Sequence, residues 1–130
     1  MKILTIGVFD LLHKGHINLI KKASELGDLI IAVKSSEGTL IIKGKKPLQS
    51  LEDRIRTIRT KLAKYIKLVV GIDNDEDKLI ELLKPDIICR GDDWLDFPGV
   101  KTAKKLGMKT VYFKYTKGIS STKLRSKIEN

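Results

Sequence analysis

Apolar runs alternate with amphipathic stretches along this chain, with neither an internal repeat nor a low-complexity linker. Lys2-Ile3-Leu4-Thr5-Ile6 is a short apolar run ending at Gly7 and reads as a first strand. From about Gly15 to Leu26, Ile17, Ile20 and Ala23 recur at three-residue spacing beside Leu19 and Leu26, which is helical periodicity, with Gly27 following as a C-cap. Asp28-Leu29-Ile30-Ile31-Ala32-Val33 is continuously apolar, as expected of a strand covered on both faces. Residues 35–49 show no clear period, carry Gly38, Gly44 and Pro47, and read as a loop. Ser50-Leu51-Glu52-Asp53 places an acid three residues after a serine, a capping-box-like start to a helix running to about Lys64.

Lys67-Leu68-Val69-Val70 gives a third strand. Asp75 to Leu83 is a helix that must stop near Pro85, because the residue before a proline is pushed out of the helical region. Asp86 to Cys89 is a fourth strand, Gly99 to Leu106 a helix closed by Gly107, Lys109 to Phe113 a fifth strand, and Ser120 to Ile128 a last helix. Buried strands alternating with helices imply an α/β fold, a parallel sheet with helices on both faces. Such sheets bind ligands beyond the carboxyl ends of their strands, where the motifs below fall.

Composition narrows the picture. The 130 residues fit one domain, residues 1–130, large enough to bury a core without staples. One cysteine, Cys89, lies inside an apolar run and reads as a small buried residue rather than a reactive thiol. No apolar run approaches the roughly 20 residues of a membrane span and residues 1–15 lack a signal-peptide pattern, so a cytoplasmic protein with no membrane partner is expected. The net charge of +10 favours anionic ligands: nucleotides, phosphorylated metabolites or nucleic acid. Aromatic residues make up 5%, too few to interleave with the basic ones as a nucleic-acid surface requires.

The strongest chemical signal is Gly7-Val8-Phe9-Asp10-Leu11-Leu12-His13-Lys14-Gly15-His16, which follows the first strand and opens the first helix. His13 and His16 place two imidazoles at one helix N-terminus, where backbone N–H groups and the helix dipole favour an anion. Imidazole can donate to phosphate oxygens, and Gly15 lets a phosphate come close to the backbone. The protein has two histidines, and both are here. Solvated or capping histidines are the alternative for such a pair in isolation.

This stretch resembles the His-x-Gly-His signature of the nucleotidyltransferase superfamily, in the form seen in its cytidylyltransferase-like branch, of which glycerol-3-phosphate cytidylyltransferases are members. Two further segments match in order. Arg90-Gly91-Asp92-Asp93-Trp94 is similar to the branch's Gly-Asp-Asp-Trp, and Gly118-Ile119-Ser120-Ser121-Thr122-Lys123 to its Gly-Ile-Ser-Thr-Thr segment. The resemblance spans nearly the whole chain and implies direct in-line attack of a substrate phosphate oxygen on the α-phosphorus of CTP. It implies that His13 and His16 contact the triphosphate, that Gly7, Val8, Phe9 and Asp10 shape the nucleotide site, and that Mg²⁺ arrives with the nucleotide. No protein metal-ligand cluster stands out.

Other residues carry weaker signals. Ser120, Ser121 and Thr122 beside Gly118 offer hydroxyl donors at a helix N-terminus, a phosphate cradle or a simple N-cap. Lys43, Lys45 and Lys46 form a basic segment that is either a solvated turn or, as in the branch, a clamp on phosphates. Arg54 or Arg56 resembles a family arginine, the register being open. Trp94 must pack on something, a base or a dimer partner, and Asp92 and Asp93 are base-recognition or capping residues. Where the branch often has Arg-Thr-Glu-Gly, this chain has Tyr115-Thr116-Lys117-Gly118, so Lys114 or Lys117 must supply any charge there, without the arginine fork.

We therefore expect a Rossmann-like five-stranded parallel sheet of order 3-2-1-4-5, carrying cytidylyl transfer from CTP to a small phosphorylated alcohol, glycerol 3-phosphate first. The alternatives are adenylyl transfer to a sugar phosphate or FMN and, in a different class, a non-catalytic nucleotide- or RNA-binding module. The resemblance also implies a homodimer. The apolar run Leu40-Ile41-Ile42 in the long loop, hard for a monomer to hide, points to the interface.

Overall fold

A computed structural model describes residues 1–91 and 99–113. Five parallel strands form one sheet in the order β3-β2-β1-β4-β5. They are β1 (Lys2–Gly7), β2 (Asp28–Lys34), β3 (Leu68–Ile72), β4 (Ile87–Gly91) and β5 (Lys109–Phe113). The helices are α1 (Lys14–Ser24), α2 (Ser36–Lys43), α3 (Leu51–Leu62), α4 (Glu76–Leu83) and α5 (Val100–Lys105), and α3 leads into a 3-10 turn at Ala63–Tyr65. The expected sheet order is therefore the observed one. The expected last helix lies outside the described residues.

Strand alternation sorts the core into two layers. Ile3 of β1, Leu29, Ile31 and Val33 of β2, and Ile87 and Cys89 of β4 face Ile20 and Ala23 of α1 and Ile58 and Leu62 of α3. On the other face Leu4 and Ile6, Ile30 and Ala32, and Ile88 pack on Ile80 of α4 and on Val100 and Ala103 of α5. Both faces of the central strands are thus covered, which is why β2 reads as an unbroken apolar run. Cys89 is fully buried and burial raises its thiol pKa to about 11, so it stays a thiol inside the core.

The segment after β2 corrects the sequence reading. Residues 36–43 form α2 rather than a loop. Ser35 caps it, its Oγ accepting from Gly38 N–H, and Gly44 ends it in the left-handed region at φ 77. The helix escapes the periodicity test because its apolar residues do not line an inward stripe: Leu40, Ile41 and Ile42 are 40%, 75% and 47% exposed. Smaller differences are boundary shifts of one to three residues. β4 runs on through Arg90 and Gly91, and β3 through Gly71 and Ile72, which carries charged and glycine positions into strands that the apolar count alone would have ended.

Candidate active site

The carboxyl ends of β1, β2 and β4 and the N-terminus of α1 meet at one edge of the sheet. The turn from β1 into α1 is held in a costly shape. Phe9 (φ 54) and Leu11 (φ 50) both sit in the left-handed region, where a non-glycine residue costs on the order of 1 kcal/mol or more. Long-range contacts overdetermine it. The buried Asp10 carboxylate accepts from the N–H groups of Leu48 and Gln49 at 2.8 and 3.0 Å. Leu11 N–H donates to Gln49 Oε1 at 2.8 Å. Asp10 thereby fastens the segment after α2 to the histidine turn.

Arg54 completes the lock. It is fully buried and donates to the carbonyls of Val8 (2.9 Å), Lys34 (2.6 Å) and Gln49 (3.1 Å) and to Ser36 Oγ (3.2 Å). It joins the ends of β1 and β2, as a planar five-donor fork can and a lysine cannot. Arg56, by contrast, lies exposed and pairs with Asp53.

His13 is the N-cap of α1, and its Nδ1 accepts from Gly15 N–H at 3.0 Å. His16 Nδ1 reaches back to accept from His13 N–H at 3.3 Å, so the two histidines form a reciprocal capping box. The rings stack at 3.8 Å between centroids, and the Phe9 ring meets His16 edge-on at 5.4 Å. Because each Nδ1 accepts, each neutral ring carries its proton on Nε2 and presents that N–H as a donor. Burial, then the repulsion that His16 would meet from Lys43 and from His13 if both imidazoles were protonated, drives the His16 pKa down to about 3, and burial lowers that of His13 as well. The pair thus offers neutral donors. Gly15 N–H, at the helix terminus that sequence offered to an anion, is engaged by His13 in this arrangement.

Beside the histidines a cleft opens between the ends of β1, β2 and β4 and helices α2 and α4. Gly7 and Val8 of the motif line it, with Lys43 of α2 and Arg90 of β4. Lys43 also acts electrostatically on His16, so it belongs to both regions. Arg90 donates to the Ile6 carbonyl and is largely buried. Gly91 is the buried last residue of β4, while Lys45 and Lys46 are exposed beyond α2. Asp92, Asp93 and Trp94, and Gly118 to Thr122 with Lys114 and Lys117, lie outside the described residues.

Among the residues of this cleft that sequence reasoning missed, two are charged, Lys34 and Glu76. They form a buried ion pair, Nζ to Oε2 2.6 Å apart, with side chains 7% and 4% exposed. One signal was available: Lys34 is a charge on the last position of a strand covered on both faces. Glu76 was hidden in the acidic run Asp75-Glu76-Asp77, which reads as ordinary first-turn acids.

The profile of the cytidylyltransferase-like family matches residues 4–127. The chain belongs to the cytidylyltransferase-like family. A glycerol-3-phosphate cytidylyltransferase of Bacillus subtilis is 35% identical over 98% of this chain and 96% of its own length. A bifunctional protein HldE of Desulfatibacillum aliphaticivorans is 34% identical over 98% of this chain, which spans 27% of that relative. Among solved structures, a lipopolysaccharide core biosynthesis protein from Thermoplasma volcanium superposes with a TM-score of 0.76 at 28% identity, covering 89% of this chain and 98% of its own. This cytidylyltransferase-like chain is accordingly a nucleotidyltransferase, a family that handles a nucleotide and a phosphorylated substrate. Among its described residues no helix is long and apolar enough to cross a membrane.

Proposed function

We propose that this nucleotidyltransferase is a cytoplasmic enzyme that transfers CMP from CTP to a small phosphorylated alcohol, glycerol 3-phosphate first, with release of pyrophosphate. The observation that carries the reading is the stacked pair of neutral imidazoles at the start of α1, both with Nε2–H to donate, next to Lys43. A phosphate oxygen of the acceptor attacks the α-phosphorus of CTP. The new P–O bond forms as the bond to the bridging oxygen of the β-phosphate breaks, and pyrophosphate carries the electron pair away. Such a transfer needs no enzyme nucleophile. It needs positioning and fixed donors aimed at oxygens on which charge accumulates.

In this reading His13 and His16 donate to the triphosphate, Lys43 and Lys46 hold its outer charge, and Gly7, Val8, Phe9, Asp10, Gly15, Arg90 and Gly91 build the nucleotide site. Asp92, Asp93, Trp94, Gly118, Ile119, Ser120, Ser121 and Thr122 complete it. The described residues contain no cluster of three or more His, Cys, Asp or Glu side chains fit for a metal ion. The Asp10 carboxylate accepts from two backbone N–H groups and the Glu76 carboxylate is paired with Lys34. These residues do not make a metal cage of their own, so Mg²⁺ would enter on the phosphates of CTP.

Pyrophosphate release, assayed with CTP and with ATP against phosphorylated alcohols and sugars, tests the reading. CTP with glycerol 3-phosphate is expected to be the productive pair. The near-equal identity to HldE proteins gives the ATP arm its purpose. Turnover with ATP and a sugar phosphate, and none with CTP, would replace cytidylyl by adenylyl transfer.

We further infer a symmetric homodimer built on the outward side of α2. Three consecutive apolar residues there, Leu40, Ile41 and Ile42, are substantially exposed, and a partner would cover them. Light scattering at micromolar concentration should give twice the chain mass, and a value near 14.7 kDa refutes the dimer.

A further inference from the structure

Lys34 and Glu76 come from elements 42 residues apart and meet inside the cleft wall. A buried ion pair is a poor stabilising device, since two apolar side chains of similar volume serve as well or better. This pair is also left incomplete. Glu76 is 4% exposed, its Oε2 takes the lysine, and its buried Oε1 has no hydrogen-bond partner among the described residues. A buried carboxylate oxygen without a donor is costly, and because Glu76 lines the cleft a ligand O–H or N–H seated there satisfies it once the side chain turns to meet it.

The surrounding charges decide which. Among the described residues lining the cleft, Lys34, Lys43 and Arg90 are cationic and Glu76 is the one carboxylate. A cationic amine entering this space meets three positive charges against one negative. For in-line attack the acceptor phosphate must sit against the triphosphate, so Lys43 and Arg90 can serve both: a molecule carrying a phosphate and a neutral hydroxyl meets cations for the first and an acceptor oxygen for the second.

We propose that the Lys34–Glu76 pair is the acceptor-specificity device: Glu76 Oε1 accepts a hydrogen bond from a carbon-borne hydroxyl of a phosphorylated polyol, while Lys34 fixes the carboxylate and, with Lys43 and Arg90, rejects phosphorylated amines. This deepens the transfer reaction proposed above and rests on it. A site built to hydrogen-bond a hydroxyl discriminates strongly against the analogue lacking it, because the buried acceptor is then left unpaired.

The test is pyrophosphate release from CTP with three acceptors: glycerol 3-phosphate, propyl phosphate (its analogue with neither carbon-borne hydroxyl) and ethanolamine phosphate. The wild-type enzyme should favour the first over each of the others by ~10²-fold in kcat/KM. In the double variant Lys34→Met, Glu76→Leu, which removes both charges at similar volume, the preference should collapse to within about 5-fold, with the loss in the acceptor's kcat/KM and not in the Michaelis constant for CTP. Glu76→Gln keeps the side-chain shape and should lower the preference in the same direction, so it decides the matter if the double variant does not fold. Turnover with an undiminished preference in these variants overturns the inference and leaves cytidylyl transfer standing. Equal wild-type use of all three acceptors does the same. No wild-type turnover with any of them overturns the transfer reading and this inference together.

Discussion

The two walls of the site are built on opposite principles. The histidine wall is local. His13 and His16 are three residues apart, each Nδ1 is satisfied by a backbone N–H of the same turn, and both rings are neutral donors. The Lys34–Glu76 wall is long-range and charged, joins β2 to α4 across 42 residues, and leaves Glu76 Oε1 without a described partner. A neutral donor can be buried once its ring is hydrogen-bonded. A buried charge needs a counter-charge, and the counter-charge must come from wherever the fold brings one. The first wall suits groups common to every turnover, the triphosphate oxygens. The second suits a group that differs from one acceptor to another.

The largest effect that separates the walls is on chemistry itself. His16→Ala removes one Nε2–H donor and the edge contact with Phe9. Turnover is expected to fall by ~10²-fold or more, the scale of losing one fixed donor to developing charge. Changing Lys34 and Glu76 together should instead redistribute kcat/KM among acceptors. A folded His16→Ala enzyme that turns over within a few-fold of wild type, with circular dichroism unchanged, would break the assignment of chemistry to the histidine wall.

The same contrast explains what was legible in the sequence. Strand order and the two-layer core followed from apolar runs and helical periods, because each buried face is a near-neighbour pattern. The histidine turn was legible because its hydrogen bonds close within a few residues. Its strain at Phe9 and Leu11 was not, since the contacts that hold it, Asp10 to Leu48 and Gln49 and Arg54 to Val8 and Lys34, cross 20 to 46 residues. Arg54 and Arg56 are indistinguishable by composition, and only packing shows that one bridges two strands while the other faces solvent. Helix α2 was read as a loop because none of its large apolar residues is buried, so periodicity against a core gives no signal. Lys34 and Glu76 each look ordinary alone, and their pairing exists only in three dimensions.

A smaller effect sharpens the comparison through pH. Each histidine Nδ1 faces a backbone N–H, so protonating it sets donor against donor and breaks the cap. Burial first, then repulsion from a protonated His13 and from Lys43, hold the His16 pKa at about 3 in the folded chain, against an ordinary value near 6.5. The folded pKa is the lower one, so as pH falls the unfolded chain takes the proton first. Stability from a neutral His16 is fully present above pH 6.5 and is lost progressively between there and pH 3. From pH 7 to pH 5 the loss due to His16 is ~2 kcal/mol, at about 1.4 kcal/mol per unit of pKa difference. Carboxylates titrate over part of the same range in wild type and variant alike, so the informative quantity is a difference. In urea unfolding at fixed protein concentration, wild type should lose ~2 kcal/mol more than His16→Gln between the two pH values, because the amide retains an acceptor for His13 N–H and has no proton to gain. Equal losses would mean that His16 is not held neutral by the fold, and the contrast between a neutral wall and a charged one would fail at its most local point.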